Sequence, residues 1–179
     1  DPSLHNTYST YVDNEFPIKK PLSLILSGNY YLIKNMIKQN NYQEVVMLGI
    51  SGGGWYTTLL SSVITEIEIS YSFAGTMPLL FRLFDTNYGD WEQIDSSLYN
   101  KVDYSSLYIL STLNKNNNFT RKHYQVYNDK DTCCYKNPAA KILQKIYEDL
   151  KIKNFEIIVL KNDKHSIDTN FLFKNFFNY

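Results

Sequence analysis

Hydrophobic residues recur along the chain in two alternating rhythms. Short runs rich in β-branched and aromatic residues occur at 45–50 (VVMLGI), 68–74 (EISYSFA), 123–128 (HYQVYN) and 155–160 (FEIIVL), and each predicts a strand. The first is continuously apolar, the pattern of a strand buried on both faces. Between the runs lie stretches with the three-to-four-residue spacing of a helix. They cover 21–39, which opens on a proline, then 55–66, the amphipathic 138–151, and the closing 167–177. Residues 77–113 make a longer excursion, helical in parts, and the Asn-rich 114–118 reads as an exposed loop. Strands alternating with helices predict parallel βαβ units: an α/β domain, mostly parallel, with helices on both faces of the sheet. A chain of 179 residues fits a single domain, with 77–118 as an excursion or lid inside it.

The sharpest chemical signal sits between the first strand and the helix after it. Gly49-Ile50-Ser51-Gly52-Gly53 satisfies G-x-S-x-G, and Gly54 and Trp55 follow. A serine that must project from so tight a turn adopts strained dihedrals. Side chains on its neighbours would strike the adjacent strand and helix, so Gly49 and Gly53 are the positions expected to need no Cβ. The helix that follows directs its positive end at the serine, and the amide of Gly52 becomes a candidate oxyanion donor. A phosphate-binding loop is disfavoured, since neither G-K-[ST] nor G-x-G-x-x-G occurs here.

A nucleophilic serine requires a base and an acid, later in the chain and beyond later strands. Of three histidines, His165 lies in a short loop after the 155–160 strand, where a base belongs. His123 opens its strand, at the end remote from the carboxyl edge where such sites form, and is expected at the surface or in packing. His5 precedes the first helix and has no assigned role. The acid is expected after the 123–128 strand, where Asp129 and Asp131 compete. Asp131 is preferred because it stands far enough past the strand to turn back toward a histidine. Asp129 is better suited to shaping the turn. Asp163, two residues from His165, reads as a solvated loop residue. Trp55, Thr76 and Met77 are candidate substrate contacts, the last two because they follow a strand at its carboxyl end.

Charge and composition narrow the partners. Eighteen basic residues balance eighteen acidic ones, so no field of one sign is available to hold nucleic acid. No apolar run approaches the ~20 residues a membrane span needs. Cys133 and Cys134 are adjacent and cannot tie distant loops together; they are expected to be buried spacers beside the acid. With the histidines dispersed, no metal site is expected, and the triad needs no cofactor.

The motif GISGGGW, the aspartate of NDKDTCCY and the histidine of KNDKHSI occur in the order found in the α/β-hydrolase superfamily, and from Pro21 onward the chain resembles it. SFAGTMP at 72–78 and DWEQ at 90–93 resemble a bacterial subgroup of hydrolases with no established substrate. The resemblance implies a Ser51–Asp131–His165 triad and hydrolysis of a small-molecule ester or acyl compound through an acyl-serine. A peptidase, or a non-catalytic binding module on the same fold, is the alternative. Members of the superfamily carry several strands before the elbow strand. Here 44 residues precede it, with no HG loop for a second oxyanion donor, which implies a C-terminal fragment of a longer hydrolase.

Overall fold

The computed structural model describes residues 21–84 and 88–177; the first twenty residues, with His5, lie outside the described residues. Helix α1 (Pro21–Gln39) leads into strand β1 (Val46–Ile50), and helix α2 (Gly52–Val63) starts one residue after that strand. Strand β2 (Ile69–Phe73) is followed by two short 3-10 turns, Leu79–Phe84 and Trp91–Gln93. Helices α3 (Ser96–Tyr99) and α4 (Tyr104–Leu110) complete the excursion. Strand β3 (Lys122–Asn128), helix α5 (Ala139–Leu150) and strand β4 (Phe155–Leu160) come next. The chain then closes with helix α6 (Thr169–Leu172), which continues as a wider turn over Phe173–Phe177. The four strands form one sheet in the order β1-β2-β3-β4, every pair parallel. All four carboxyl ends therefore open on one edge, the edge at which crossover folds of this kind build their sites.

The register separates two faces. One carries Tyr71, Phe73 and Val126, which pack with Ile158, Leu160, Ile167 and Phe171 from β4 and the closing segment. The rings of Tyr71 and Phe73 each meet the ring of Phe171 edge to face. Val46 and Leu48 of β1 lie on this same face but remain exposed, at 36% and 42%. The apolar run 45–50 thus does not become a strand buried on both faces. Met47 packs under α1 and α2, while the opposite side of this edge strand has no described element over it.

The other face, under α2, α4 and α5, is partly polar. Ser70, Ser72, His123 and Gln125 are all buried there. The Gln125 amide donates to Thr58 Oγ1 (2.9 Å) and to His123 Nε2 (2.8 Å), and its carbonyl oxygen accepts from Thr76 Oγ1 (3.0 Å). Because Nε2 accepts, His123 donates through Nδ1 to Ser70 Oγ (2.7 Å) and is held as the neutral Nδ1–H tautomer. Burial, with a smaller contribution from the Arg121 charge, pushes its pKa down to about 3. His123 is thus a core residue, its ring nearly parallel to those of Tyr108 and Phe155 in a three-ring cluster.

Arg121, 2% exposed, resolves a problem of helix ends. Its guanidinium donates to the carbonyls of Ile67 (2.7 Å), Leu113 (2.8 Å) and Ile64 (3.2 Å), and to that of Ser61. These oxygens lie at and beyond the C-terminal ends of α2 and α4, where no intrahelical partner is available.

The excursion is largely built into the core. Met77, Tyr104 and Tyr108 are each 0% exposed, and the Tyr108 ring stacks on Phe155. No helix of the described residues is long and apolar enough to cross a membrane.

Candidate active site

Ser51 stands between β1 and α2 at φ 56° and ψ −124°, a conformation that L-residues rarely adopt. Its amide donates to the Phe73 carbonyl of β2 (2.9 Å), and its carbonyl accepts from Trp55 (2.9 Å). The hydroxyl makes no capping bond to the helix that follows. α2 opens on three glycines with no acidic residue in its first turn, and the N–H groups that open a helix follow directly on Ser51.

The glycines around the serine divide unevenly. A Cβ on Gly49 would run into the Gly53 carbonyl, as the close approach of strand and helix requires. A Cβ on Gly53 would meet nothing within 4 Å, so Gly53 is not one of the residues that close packing demands. Gly54 takes that part: its Cβ would lie 2.8 Å from both Gly75 Cα and the Phe73 oxygen. Gly75 is equally constrained, since its Cβ would meet the backbone of Gly54 and the Trp55 nitrogen at 2.5 Å. Backbone-to-backbone contact of Gly54 with Gly75 therefore seats the first turn of α2 on the chain leaving β2.

Asp131 follows β3 and is 1% exposed. Its Oδ1 accepts from the amides of Cys133 (2.7 Å) and Cys134 (3.0 Å), and both carboxylate oxygens lie 3.0 Å from His165 Nδ1. The carboxylate thereby fixes the ring and directs Nε2 away from itself. His165 Nε2 is buried and has no hydrogen-bond partner among the described residues. A buried polar atom without a partner costs free energy, and such atoms often mark working groups.

The His165 loop is tied down by a residue that the sequence reading passed over. Asn128, the last residue of β3, donates through Nδ2 to the carbonyls of Lys164 (2.8 Å) and Ser166 (2.9 Å), one on each side of His165. These two bonds fold the loop after β4 back over the end of β3. Nothing in the residue type marks Asn128 for this; only its place at a strand end hinted at it. Asp129, expected to shape its own turn, instead reaches the loop after β4, its Oδ1 accepting from the Asn162 amide (3.2 Å).

Ser51, Asp131 and His165 thus occupy one edge of the sheet, with Asp131 and His165 in direct contact. Ser51 emerges from β1, two strands from β3, roughly 10 Å at the usual strand spacing.

The three expected substrate contacts are placed differently. Trp55 is 2% exposed, and its indole N–H donates to the Tyr99 hydroxyl (3.0 Å). Thr76 and Met77 are 0% exposed, Thr76 engaged with Gln125 and Tyr108. All three serve the packing of the excursion against α2 and offer no surface to a ligand. The cysteines also depart from expectation. Cys133 is exposed and disulfide-bonded to the buried Cys134. Both sulfurs and a ring nitrogen of His165 lie within 4.8 Å of one another, a grouping that dispersed histidines in the sequence did not suggest.

No family model matches the chain, and no curated protein matches it in sequence. Solved structures do. A methylesterase superposes with a TM-score of 0.54 at 15% identity, over 87% of this chain and 36% of its own. SOBER1 of Arabidopsis thaliana gives 0.52 at 12% identity, over 84% of this chain and 59% of its own. The acylaminoacyl peptidase of Pyrococcus horikoshii gives 0.51 at 20% identity, over 82% of this chain and 23% of its own. The chain therefore spans less than two thirds of the length of each of these structures, and the likeness is one of fold.

Proposed function

This chain carries a partial α/β-hydrolase fold, and from that premise we propose that it is a serine-dependent hydrolase of small-molecule esters or acyl compounds. Ser51 is the nucleophile, His165 the general base and Asp131 the acid that orients it. The observation that carries the reading is the state of the imidazole. Nδ1 is held at 3.0 Å by a buried carboxylate, while Nε2 is buried and unpartnered on the same edge as a serine held at positive φ.

The chemistry follows from this arrangement. The Ser51 hydroxyl is a weak nucleophile until an imidazole takes its proton. With Asp131 keeping the ring proton on Nδ1, Nε2 is the basic nitrogen. As Ser51 Oγ bonds to the acyl carbon, its proton passes to Nε2, and Asp131 stabilises the resulting imidazolium. The negative oxygen of the tetrahedral intermediate faces the start of α2, where the Gly52 amide donates. Collapse expels the leaving group, which takes its proton from Nε2. A water activated by the same nitrogen then hydrolyses the acyl-serine.

Esters are favoured over peptides because their hydrolysis asks less of leaving-group protonation. A binding module without catalysis is the competing reading, supported by the absence of a bond from Nε2 to Ser51. Turnover of short p-nitrophenyl esters separates the two. Hydrolysis that falls to background in Ser51→Ala supports the enzyme; hydrolysis unchanged in that variant rejects Ser51 as nucleophile.

A further inference from the structure

We propose that Cys133, Cys134 and His165 form a redox-gated site for a thiophilic divalent metal such as Zn²⁺, and that its occupation is incompatible with catalysis. The proposal stands on an arrangement that the triad does not require. The two sulfurs and a ring nitrogen of His165 lie within 4.8 Å of one another. The backbone of the same two cysteines donates to the Asp131 carboxylate that holds the ring. Metal ligands and triad therefore share one turn.

Tetrahedral Zn²⁺, with bonds of about 2.3 Å to sulfur and about 2.0–2.1 Å to imidazole nitrogen, sets its ligand atoms roughly 3.4–3.8 Å apart. The three donor atoms lie within 4.8 Å of one another, so once the disulfide is reduced the sulfurs need only part to that spacing. Two thiolates with one imidazole select Zn²⁺ over hard cations such as Mg²⁺ or Ca²⁺.

The disulfide closes this site, because sulfurs bonded to each other cannot both ligate. Opening it takes a dithiol reductant. Two electrons and two protons pass to the Cys133–Cys134 disulfide, giving two thiols, while the reductant becomes a disulfide. Exposed Cys133 is the sulfur that a thiolate can reach. Zn²⁺ then displaces the two thiol protons and accepts a lone pair from neutral His165.

Either ring nitrogen gives the same outcome for catalysis. If Nε2 ligates, the base is blocked. If Nδ1 ligates, the ring proton moves to Nε2, which can no longer accept one from Ser51. The metal site stands independently of the hydrolase; its inhibitory effect rests on the Ser51–His165 assignment above.

Co²⁺ titration of the whole chain tests the site without any activity. The reduced protein should develop a thiolate-to-cobalt charge-transfer band that the oxidised protein lacks and that Zn²⁺ abolishes. The band should disappear in Cys133→Ser and in Cys134→Ser, and His165→Ala should weaken Co²⁺ binding by roughly tenfold or more. No band on reduction, a band that survives either serine variant, or full affinity in His165→Ala overturns the proposal. In a second arm, Zn²⁺ added to reduced protein should stop fluorophosphonate labelling of Ser51, and EDTA should restore it. Labelling that continues with the metal site filled overturns the inhibitory claim. Absence of labelling in the metal-free protein counts instead against the hydrolase reading, and the cobalt spectrum still decides the metal site.

Discussion

Asp131→Asn preserves shape and removes a charge, and the structure specifies what it does to the base. Oδ1 accepts from the Cys133 and Cys134 amides at 2.7 and 3.0 Å. In the variant those two donors hold the Asn oxygen at that position. The new NH2 group must then take the place of Oδ2, 3.0 Å from His165 Nδ1. A donor there favours an accepting Nδ1 over the N–H that the oxygen at the Oδ1 position, also 3.0 Å away, could still accept, and in the favoured state the ring proton moves to Nε2. The imidazole keeps its position and loses its function. An orienting aspartate replaced in this way typically costs about 10⁴ in turnover, which is about 5.4 kcal/mol of transition-state stabilisation at 1.36 kcal/mol per decade. The urea midpoint should move far less, since the amide contacts survive. Ester turnover and the rate of fluorophosphonate labelling, measured beside a urea curve, check both parts. Turnover within tenfold of the parent, in a folded variant and with the parent itself active through Ser51, refutes the claim that Asp131 sets the tautomer.

The glycines of α2 should respond in opposite directions. Gly53→Ala meets open space and gains up to about 1 kcal/mol of helix propensity, whereas Gly54→Ala drives a Cβ to 2.8 Å from the backbone of β2 and Gly75 and should lose about 1–3 kcal/mol; urea midpoints that rank Gly54→Ala at or above the parent contradict this packing. His123 should make the fold acid-sensitive. Its folded pKa of about 3 lies below the value of 6.5 for a free imidazole, so the unfolded chain binds the extra proton between those limits. Stability contributed by the neutral ring is complete above about pH 6.5 and falls by about 1.4 kcal/mol per unit as pH drops toward 3. His123→Gln should flatten that part of the stability–pH curve relative to the parent, and an unchanged slope between pH 6 and 4 counts against a neutral buried imidazole.

Much of the fold was legible because its periodicities are unambiguous. The 21–39 helix and the 155–160 strand have the bounds that the pattern predicts, and the other strands differ by a residue at one or both ends. The helix after the serine was misjudged at its start. Three glycines discourage a helical reading, yet α2 begins at Gly52, because the helix lies so close to β1 and to the chain leaving β2 that no Cβ fits at Gly49 or Gly54. The burial of β1 was overestimated, since an apolar run shows what a strand can bury and says nothing of whether an element covers it. At the candidate site, the order of serine, aspartate and histidine led to a carboxylate and an imidazole that the structure places in contact. The Asn128 clamp and the cysteine turn around Asp131 were not legible. The clamp depends on backbone groups of one loop meeting a side chain from another strand end, which no residue spacing encodes, whereas the cysteine turn is local, its amides two and three residues beyond Asp131 bonding the carboxylate, a turn open to any Asp in a loop. Thr76 and Met77 looked available because they follow a strand at the active edge; the excursion instead buries them among Tyr108, Tyr127 and Gln125.

The account depends most on Ser51 being a nucleophile activated by His165. The direct measurement is intact-protein mass after exposure to a fluorophosphonate, with peptide mapping of the adduct. A single adduct on Ser51, absent in Ser51→Ala and slowed by at least about 10² in His165→Ala, is the predicted result. An adduct on another residue, or equal labelling of Ser51 with and without the imidazole, would contradict it.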